Sequence, residues 1–291
     1  MPSTRSQPFV LAPSRPFGLS LTYRIAPETD PRETLKTLAR QFDPQKGLIG
    51  LGLPLVSFLS FDIPGLRPFP AMAGPNCSIP STQGALWFFL QGEGRSDLFD
   101  ESEGLEDLLS GSFLLEDAMN TFVYAEGRDL SGYVDGTENP DAEQSPKVAL
   151  VGGSGPLSGS SFVAVQRWVH DLTRFRTHSQ KERDRIIGRE QRTNREIPEA
   201  PISAHIKRSA QEAFSPAAFM VRRSMPWATG SERGLEFVAF GQSFDAFERV
   251  LRRMSGGEDG IVDALFSFSR PVRGGYYWCP PVKTGRIDLA L

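Results

Sequence analysis

The chain has 291 residues, 39% of them hydrophobic and 21 of them phenylalanine, and carries a formal net charge of -3. Such a length divides naturally into two domains of roughly 130–150 residues, and the apolar content is enough for a large core. A charge this close to neutral excludes nucleic acid or an anionic membrane as the principal partner, while Cys77 and Cys279, far apart and without metal-ligand spacing, imply a reducing compartment and no disulfide framework.

In chain order, the first ten residues lack an apolar signal core and a twin-arginine pair. The longest apolar stretch, 47–61, is broken by glycine and by Pro54, so a cytoplasmic protein without a membrane span is expected. Residues 17–25 read as a strand. Asp30-Pro31-Arg32-Glu33 then offers an N-cap, a proline at the first helical position and an acid three residues after the cap, with Leu35, Leu38, Ala39 and Phe42 on one face. Strands over 48–59 and 84–91, a helix near 103–109 and a strand over 113–124 complete a βαββαβ pattern. The second half repeats it: a strand over 161–167, helical stretches over 169–187, strand segments at 203–209 and 217–223, and a strand over 235–241. Ser243 caps a helix bearing Phe244, Phe247, Leu251 and Met254, and a strand over 275–279 closes the sheet. The expected fold is α+β, two units that are each an antiparallel sheet with helices on one face. The boundary falls between 1–126 and 127–291.

Between the halves lies Gly127 to Pro140, which packs three glycines, three acids and a terminal proline into fourteen residues. Gly132 and Gly136 bracket Asp135, and glycine lets a backbone approach a flat partner closely. Asp-Gly and Asn-Pro are also strong turn signals, so composition alone serves an ordinary turn equally well. The longer string decides between them. Residues 132–140, Gly-Tyr-Val-Asp-Gly-Thr-Glu-Asn-Pro, resemble the GxxDG signature of the dye-decolorizing peroxidases, extended by the tail common in their bacterial, signal-less branch.

That resemblance implies a duplicated ferredoxin-like fold, haem b as cofactor, and hydrogen peroxide as oxidant of dyes, phenols or other aromatic one-electron donors through an oxoferryl intermediate. It also implies an axial histidine for the iron. The chain has three histidines; His170 and His178 read as solvated or capping residues, whereas 201–207 resembles the family's stretch around the proximal ligand and assigns the iron to His205. Seventeen residues on, Phe219 to Pro226 resembles the strand carrying the family's distal arginine, which becomes Arg222. Arg223 is its rival, because strand alternation sends the two to opposite faces. Ser224 departs from the family pattern, standing where asparagine is common, and its shorter reach bears on how peroxide is held.

By the same resemblance Asp263 would accept the other ring N–H of His205, although an acid at a helix N-terminus suits its setting as well. Arg189 would pair with a haem propionate, Phe237 would line the distal pocket, and Gly136 would let the loop lie on the cofactor. Asp135 is expected to shuttle the peroxide proton, with Arg222 keeping its pKa low. Tyr276, Tyr277 and Trp278 form a candidate electron-hopping cluster, though strand core is the better reading for them; Trp168 and Trp227 are further candidates. Self-association is expected, and packaging in a protein shell is not, since the chain stops soon after its last strand. A haem-handling module for storage, delivery or porphyrin processing is the alternative function, and a scaffold for protein association a third.

Overall fold

The computed structural model describes residues 6–289. Its first half runs β1 (Phe17–Ile25), α1 (Arg32–Gln41), β2 (Gly47–Leu51), α2 (Leu53–Phe58), β3 (Met72–Gly74), β4 (Cys77–Ile79), β5 (Leu86–Gly92), α3 (Arg95–Leu109) and β6 (Phe113–Phe122). The second half runs α4 (Ser145–Ala149), β7 (Ser161–His170), α5 (Leu172–Thr177), α6 (Gln180–Ile187), α7 (His205–Ser209), β8 (Val221–Arg222), β9 (Met225–Thr229), β10 (Glu232–Gly241), α8 (Asp245–Met254), β11 (Ser269–Cys279), β12 (Val282–Lys283) and β13 (Arg286–Ile287).

The main strands of both halves lie in the same order, fourth-first-third-second: β6-β1-β5-β2 and β11-β7-β10-β8. All these pairs are antiparallel. That is the ferredoxin-like arrangement twice over. Trp278 of β11 pairs with Leu51 of β2, so the two sheets run into one of nine strands. No helix among the described residues is long and apolar enough to cross a membrane.

Several elements depart from the sequence reading for local reasons. The strand expected over 48–59 stops at Leu51, because Gly52 turns the chain and Pro54, which cannot donate to a ladder, enters the first turn of α2. In α1 the cap position falls on Pro31, and Asp30 instead accepts the Arg32 N–H at 3.1 Å. The helix predicted from residue 103 starts at Arg95, where the Gly94 N–H donates to Asp97. The strand expected at 203–209 is α7, begun by the Lys207 and Arg208 N–H groups donating to the Ala204 carbonyl. β9 was not foreseen; Pro226 is tolerated there because β9 pairs on one side only, with β10.

Alternation along the strands supplies two cores. One face of each sheet packs under helices, through Leu35 and Leu38 of α1 and Phe247, Leu251 and Met254 of α8. The opposite faces pack on each other, with Trp87, Phe89, Val163, Val238 and Phe240 buried between them. β11 shows the rule residue by residue: Tyr276 and Trp278 join the helix-side core and Tyr277 and Cys279 the inter-sheet core, all at most 2% exposed. These aromatics are strand core and reach no surface. Gly50 permits that closeness, since a Cβ there would sit 2.7 Å from the Tyr277 Cβ. Gly50→Val should therefore cost about 1–3 kcal/mol through overpacking, read as a lower urea midpoint.

Candidate active site

A deep, mostly apolar cavity opens in the second half, and every residue that lines it falls between Asp129 and Ser269. Its floor is the helix-side face of β7 and β10: Gln166, Trp168 and His170 alternate inward, with Phe237 and Leu235 paired opposite Gln166 and Trp168. α8 forms the facing wall with Phe247, Val250, Leu251 and Met254. Phe237 packs on Phe247 at 6.0 Å between ring centres. Phe237 and Gly136 both line the cavity.

His205 stands at the first position of α7, partly exposed to the cavity. Its Nδ1 lies 2.8 Å from Oδ2 of the fully buried Asp263, which leaves Nε2 free. Asp263 also fills the other role open to it: its Oδ1 accepts the Leu265 N–H and caps a short 3-10 helix. Arg208, on the same short helix as His205, is clamped by both oxygens of Asp259 and by the Arg253 carbonyl. A helix of this length is held by such anchors, because its own hydrogen bonds are too few.

Opposite comes the glycine-rich loop. It folds back on itself, with the Asp129 N–H on the Tyr133 carbonyl and the Asp135 N–H on the Gly127 carbonyl. Gly132 and Gly136 adopt φ of 91° and 73°, in the left-handed region that favours glycine, and a Cβ on Gly132 would strike the Gln191 amide at 2.3 Å. Asn139 ties this loop to β8 in both directions: its Oδ1 accepts the Arg222 N–H at 2.8 Å and its Nδ2 donates to the Arg222 carbonyl at 3.1 Å. Asp135 and Arg222 consequently face the same cavity.

Arg223 turns the other way and donates to the carbonyls of Leu11, Ala12 and Arg222. Arg222 keeps a buried Nε with no partner. Ser224 is not in the cavity wall. The ladder between β8 and β9 breaks at Arg223-Ser224, and the Ser224 hydroxyl takes the N–H of Val238 at 3.3 Å in place of a backbone carbonyl. It does not join Asp135 and Arg222 in lining the cavity. Arg189 lines the cavity with its guanidinium held by Glu138, by Glu196 at 2.8 Å and by the Asn194 carbonyl.

The electrostatics also correct an expectation. Asp135 titrates above the ordinary carboxylate range, because burial and the neighbouring Asp129 outweigh Arg222 and the Gly136 N–H. For Asp129, burial opposes ionisation, yet the charge and hydrogen bond of His170, with those of Ser131, hold it at about 2. For His205, burial opposes protonation, but Asp263 outweighs it and the net direction is upward.

Sequence reasoning missed His170. It is buried rather than solvated, with Nε2 3.0 Å from Asp129 and Nδ1 2.7 Å from the Ser269 hydroxyl, and all three line the cavity. Its parity with Gln166 and Trp168 on β7 was the available signal. Gln211 was missed too; its amide joins the Glu138 carbonyl to the Met220 N–H. His178 lies where α5 hands over to α6, close to its expected place.

A family model described as Dyp-type peroxidase, C-terminal, matches residues 126–284. The chain belongs to the Dyp-type peroxidase family. It is 28% identical to a dye-decolorizing peroxidase of Mycolicibacterium paratuberculosis, with 97% of this chain and 85% of that protein covered. Among solved structures, DyPB of Rhodococcus jostii RHA1 superposes with a TM-score of 0.83 at 27% identity, covering 93% of this chain and 94% of that one; one of its variants was solved in complex with heme. The encapsulated DyP-type peroxidase of Mycobacterium smegmatis matches with a TM-score of 0.85 at 26% identity over 96% of each chain. The family is one of haem peroxidases, and the chain is a peroxidase. Its fold does not separate packaged from unpackaged members, so the expectation that a shell is no partner gains no support from it.

The cavity walls are mostly apolar and present one unengaged histidine nitrogen, which suits an apolar ligand with further donors of its own. Among the described residues no group of three or more His, Cys, Asp or Glu could hold an ion, and a lone histidine needs the ligand to supply the other donors. The unpartnered, buried Nε of Arg222 and Nε2 of Gln166 leave hydrogen-bonding capacity inside the cavity.

Two tests follow from the loop. Asn139→Ala should cost about 1–3 kcal/mol and speed hydrogen exchange at the Arg222 amide, since it leaves that N–H without its partner while the carbonyl keeps only its bond from Arg223. For Asp135, a folded-state pKa above the unfolded one contributes stability that is fully present below the unfolded value and lost as pH rises through the folded one. Asp135→Asn should therefore raise the urea midpoint of the ligand-free protein at neutral pH, with the gain vanishing in acid.

Proposed function

We propose that the unit 127–291 holds haem b, with Nε2 of His205 as the donor that would bind its iron, and that Asp135 and Arg222 would act on hydrogen peroxide in the same cavity. The observation that carries this reading is the placement of Asp135 and Arg222 on one cavity with a histidine whose other nitrogen is committed to Asp263. Haem, when bound, supplies the redox chemistry, taking oxidising power from peroxide and passing it on one electron at a time.

The protein residues do the rest. Asp263 holds His205 in the tautomer protonated at Nδ1 and makes Nε2 more basic. Ionised Asp135 takes a proton from one peroxide oxygen and delivers it to the other, which leaves as water. Arg222, always charged, stabilises the negative charge that develops on the departing oxygen. Arg189 exchanges part of its carboxylate pairing for a haem propionate, and the apolar walls exclude water. Ser224 stands outside the cavity wall, its oxygen accepting the Val238 N–H, and proton transfer falls to Asp135. A carrier or porphyrin-handling protein would have no use for a buried, ionisable carboxylate beside an arginine. The reducing substrate in this reading is an aromatic or other one-electron donor. The free thiols of Cys77 and Cys279 support the cytoplasm as the compartment.

The absorption spectrum before and after one equivalent of peroxide tests the assignment. Wild type should show a Soret band that changes promptly, and His205→Ala should lose haem on a desalting column. Asp135→Asn should slow the peroxide-induced change by about 10²–10⁴-fold and Arg222→Leu by about 10²–10³-fold. Because Asp135 titrates above the ordinary carboxylate range, the wild-type rate should fall as pH drops through that raised value, and the fall should disappear in Asp135→Asn. An unaltered rate in Asp135→Asn would remove the proton-transfer role.

A further inference from the structure

Asn139 pins the far end of the glycine-rich loop to β8, and His170 pins its near end. This histidine closes β7 and is 8% exposed. Its Nε2 lies 3.0 Å from Oδ1 of Asp129, and its Nδ1 lies 2.7 Å from the hydroxyl of Ser269, which stands beside it on β11. Phe268 packs on the ring at 5.9 Å between centres. Each ring nitrogen therefore has a partner, and turning the ring over breaks both bonds. A serine hydroxyl donates or accepts, so Ser269 serves either tautomer without moving.

Asp129 is engaged on both oxygens, Oδ1 by His170 and Oδ2 by the Ser131 N–H at 2.7 Å. Its own N–H donates to the Tyr133 carbonyl, and Arg128 pairs with Val134 next to Asp135, so a fixed Asp129 fixes the turn that presents Asp135. Burial favours a proton on Asp129; the charge and hydrogen bond of His170, with Ser131, overcome it and keep an anion there. That anion acts on Asp135 as a like charge, adding to burial in disfavouring a second ionised carboxylate in one cavity.

Other charges face Asp135 too. Arg222 of β8 and His205 of α7 work against Asp129. Arg189, just after α6, is engaged by Glu138 and Glu196, whose side chains are 44% and 52% exposed, and Glu212 is exposed as well. Lys207 on α7 is half-buried. Charges open to water are screened, whereas the Asp129 side chain is only 16% exposed. Among the other anions of the cavity wall it is the one whose charge reaches Asp135 with least loss.

We propose that His170 is a positioning residue for the peroxide step: it holds Asp129 in place and ionised, and Asp129 in turn fixes both the placement of Asp135 and the ease with which Asp135 takes a proton. The consequence for turnover rests on the peroxidase reading, in which only ionised Asp135 accepts the proton of peroxide. Neither His170 nor Asp129 gains or loses a proton in that step; each acts only through its neighbour. His170 thereby helps to set the pH at which peroxide activation fails in acid.

The test reads two quantities. In the ligand-free protein, carbon NMR of labelled aspartate follows the titration of Asp135, whose signal is identified by its loss in Asp135→Asn. In the haem-loaded protein, the acid limb of the peroxide-induced absorption change is scaled to each variant's own plateau. Asp129→Asn keeps the link to His170, because Ser269 can accept from Nδ1 while Nε2 accepts from the amide, but it removes the charge. Asp135 should then titrate at lower pH, and the acid limb should follow. His170→Leu should act in the same direction, because an unpartnered Asp129 is protonated by burial, and should speed hydrogen exchange at the Asp129 and Asp135 amides by about tenfold, the size of one lost hydrogen bond. His170→Gln, which retains a donor for Asp129, should lie between His170→Leu and wild type, and it guards against a leucine variant that misfolds. In Asp129→Asn/His170→Leu the titration should move no further than in Asp129→Asn, as for a single path. The proposal is overturned if Asp135 titrates unchanged in Asp129→Asn or in both His170 variants, or if the double variant shows two additive shifts. An acid limb that stays in place while Asp135 moves would instead overturn proton transfer by Asp135 and leave the action of His170 on Asp135 standing.

Discussion

The pair of hydrogen bonds between the Asn139 side chain and the backbone of Arg222 is the constraint on which the site depends. A glycine-rich loop has much conformational freedom to lose, and a carboxylate at its tip would by itself sample many positions. Asn139 removes that freedom at the one place where it matters, by reading both backbone groups of a residue whose side chain is the loop's counterpart. It thereby makes the spacing between Asp135 and Arg222 a property of the fold. Glu138, bound to Arg189 and through its carbonyl to Gln211, adds a second tether beside the first.

Once the loop is fixed, the electrostatics of the cavity follow from burial. Two carboxylates of the same loop are driven apart in acidity by their partners. Asp129 has His170 and Ser131 and stays low; Asp135 has Arg222 but no side-chain hydrogen-bond donor, and burial with the nearby Asp129 raises it. On the opposite side, Asp263 meets the demands of a helix cap and of a histidine partner with separate oxygens. Both of the contacts that competed for this residue are present.

The protein around the cavity supplies rigidity rather than chemistry. Apart from the largely exposed edge strand β6, both faces of the joined sheet are covered, by helices on one side and by the other unit's sheet on the opposite one. Arg167 crosses that inner interface, bonded to Glu236 of its own unit and to Asp117 of the other, and its charge is offset by carboxylates on both sides. Among the described residues the first unit contributes none to the cavity wall; it contributes the surface against which the second is packed.

The sequence by itself determined the strand-helix pattern of both halves, because that rests on local spacing, and through the family resemblance of contiguous strings such as 132–140 it singled out His205, Asp135, Arg222 and Asp263 as candidates, which the structure gathers on one cavity and its edge. The strand edges that failed, at 48–59 and 203–209, did so where glycine, proline and short capping bonds overrode apolar patterning. What only the tertiary structure decided involves partners distant in the chain. His170 meets Asp129 and Ser269 across forty-one and ninety-nine positions. Ser224 spends its hydroxyl on Val238 because a ladder is interrupted there, and the pKa of Asp135 is set by how deeply the loop is buried. Tyr133 lies inside the signature itself, yet the link of its hydroxyl to Asp184 is made by the docking of α6. Hydrogen bonds and desolvation act through space, and no pattern along the chain encodes which distant group will stand within three ångströms.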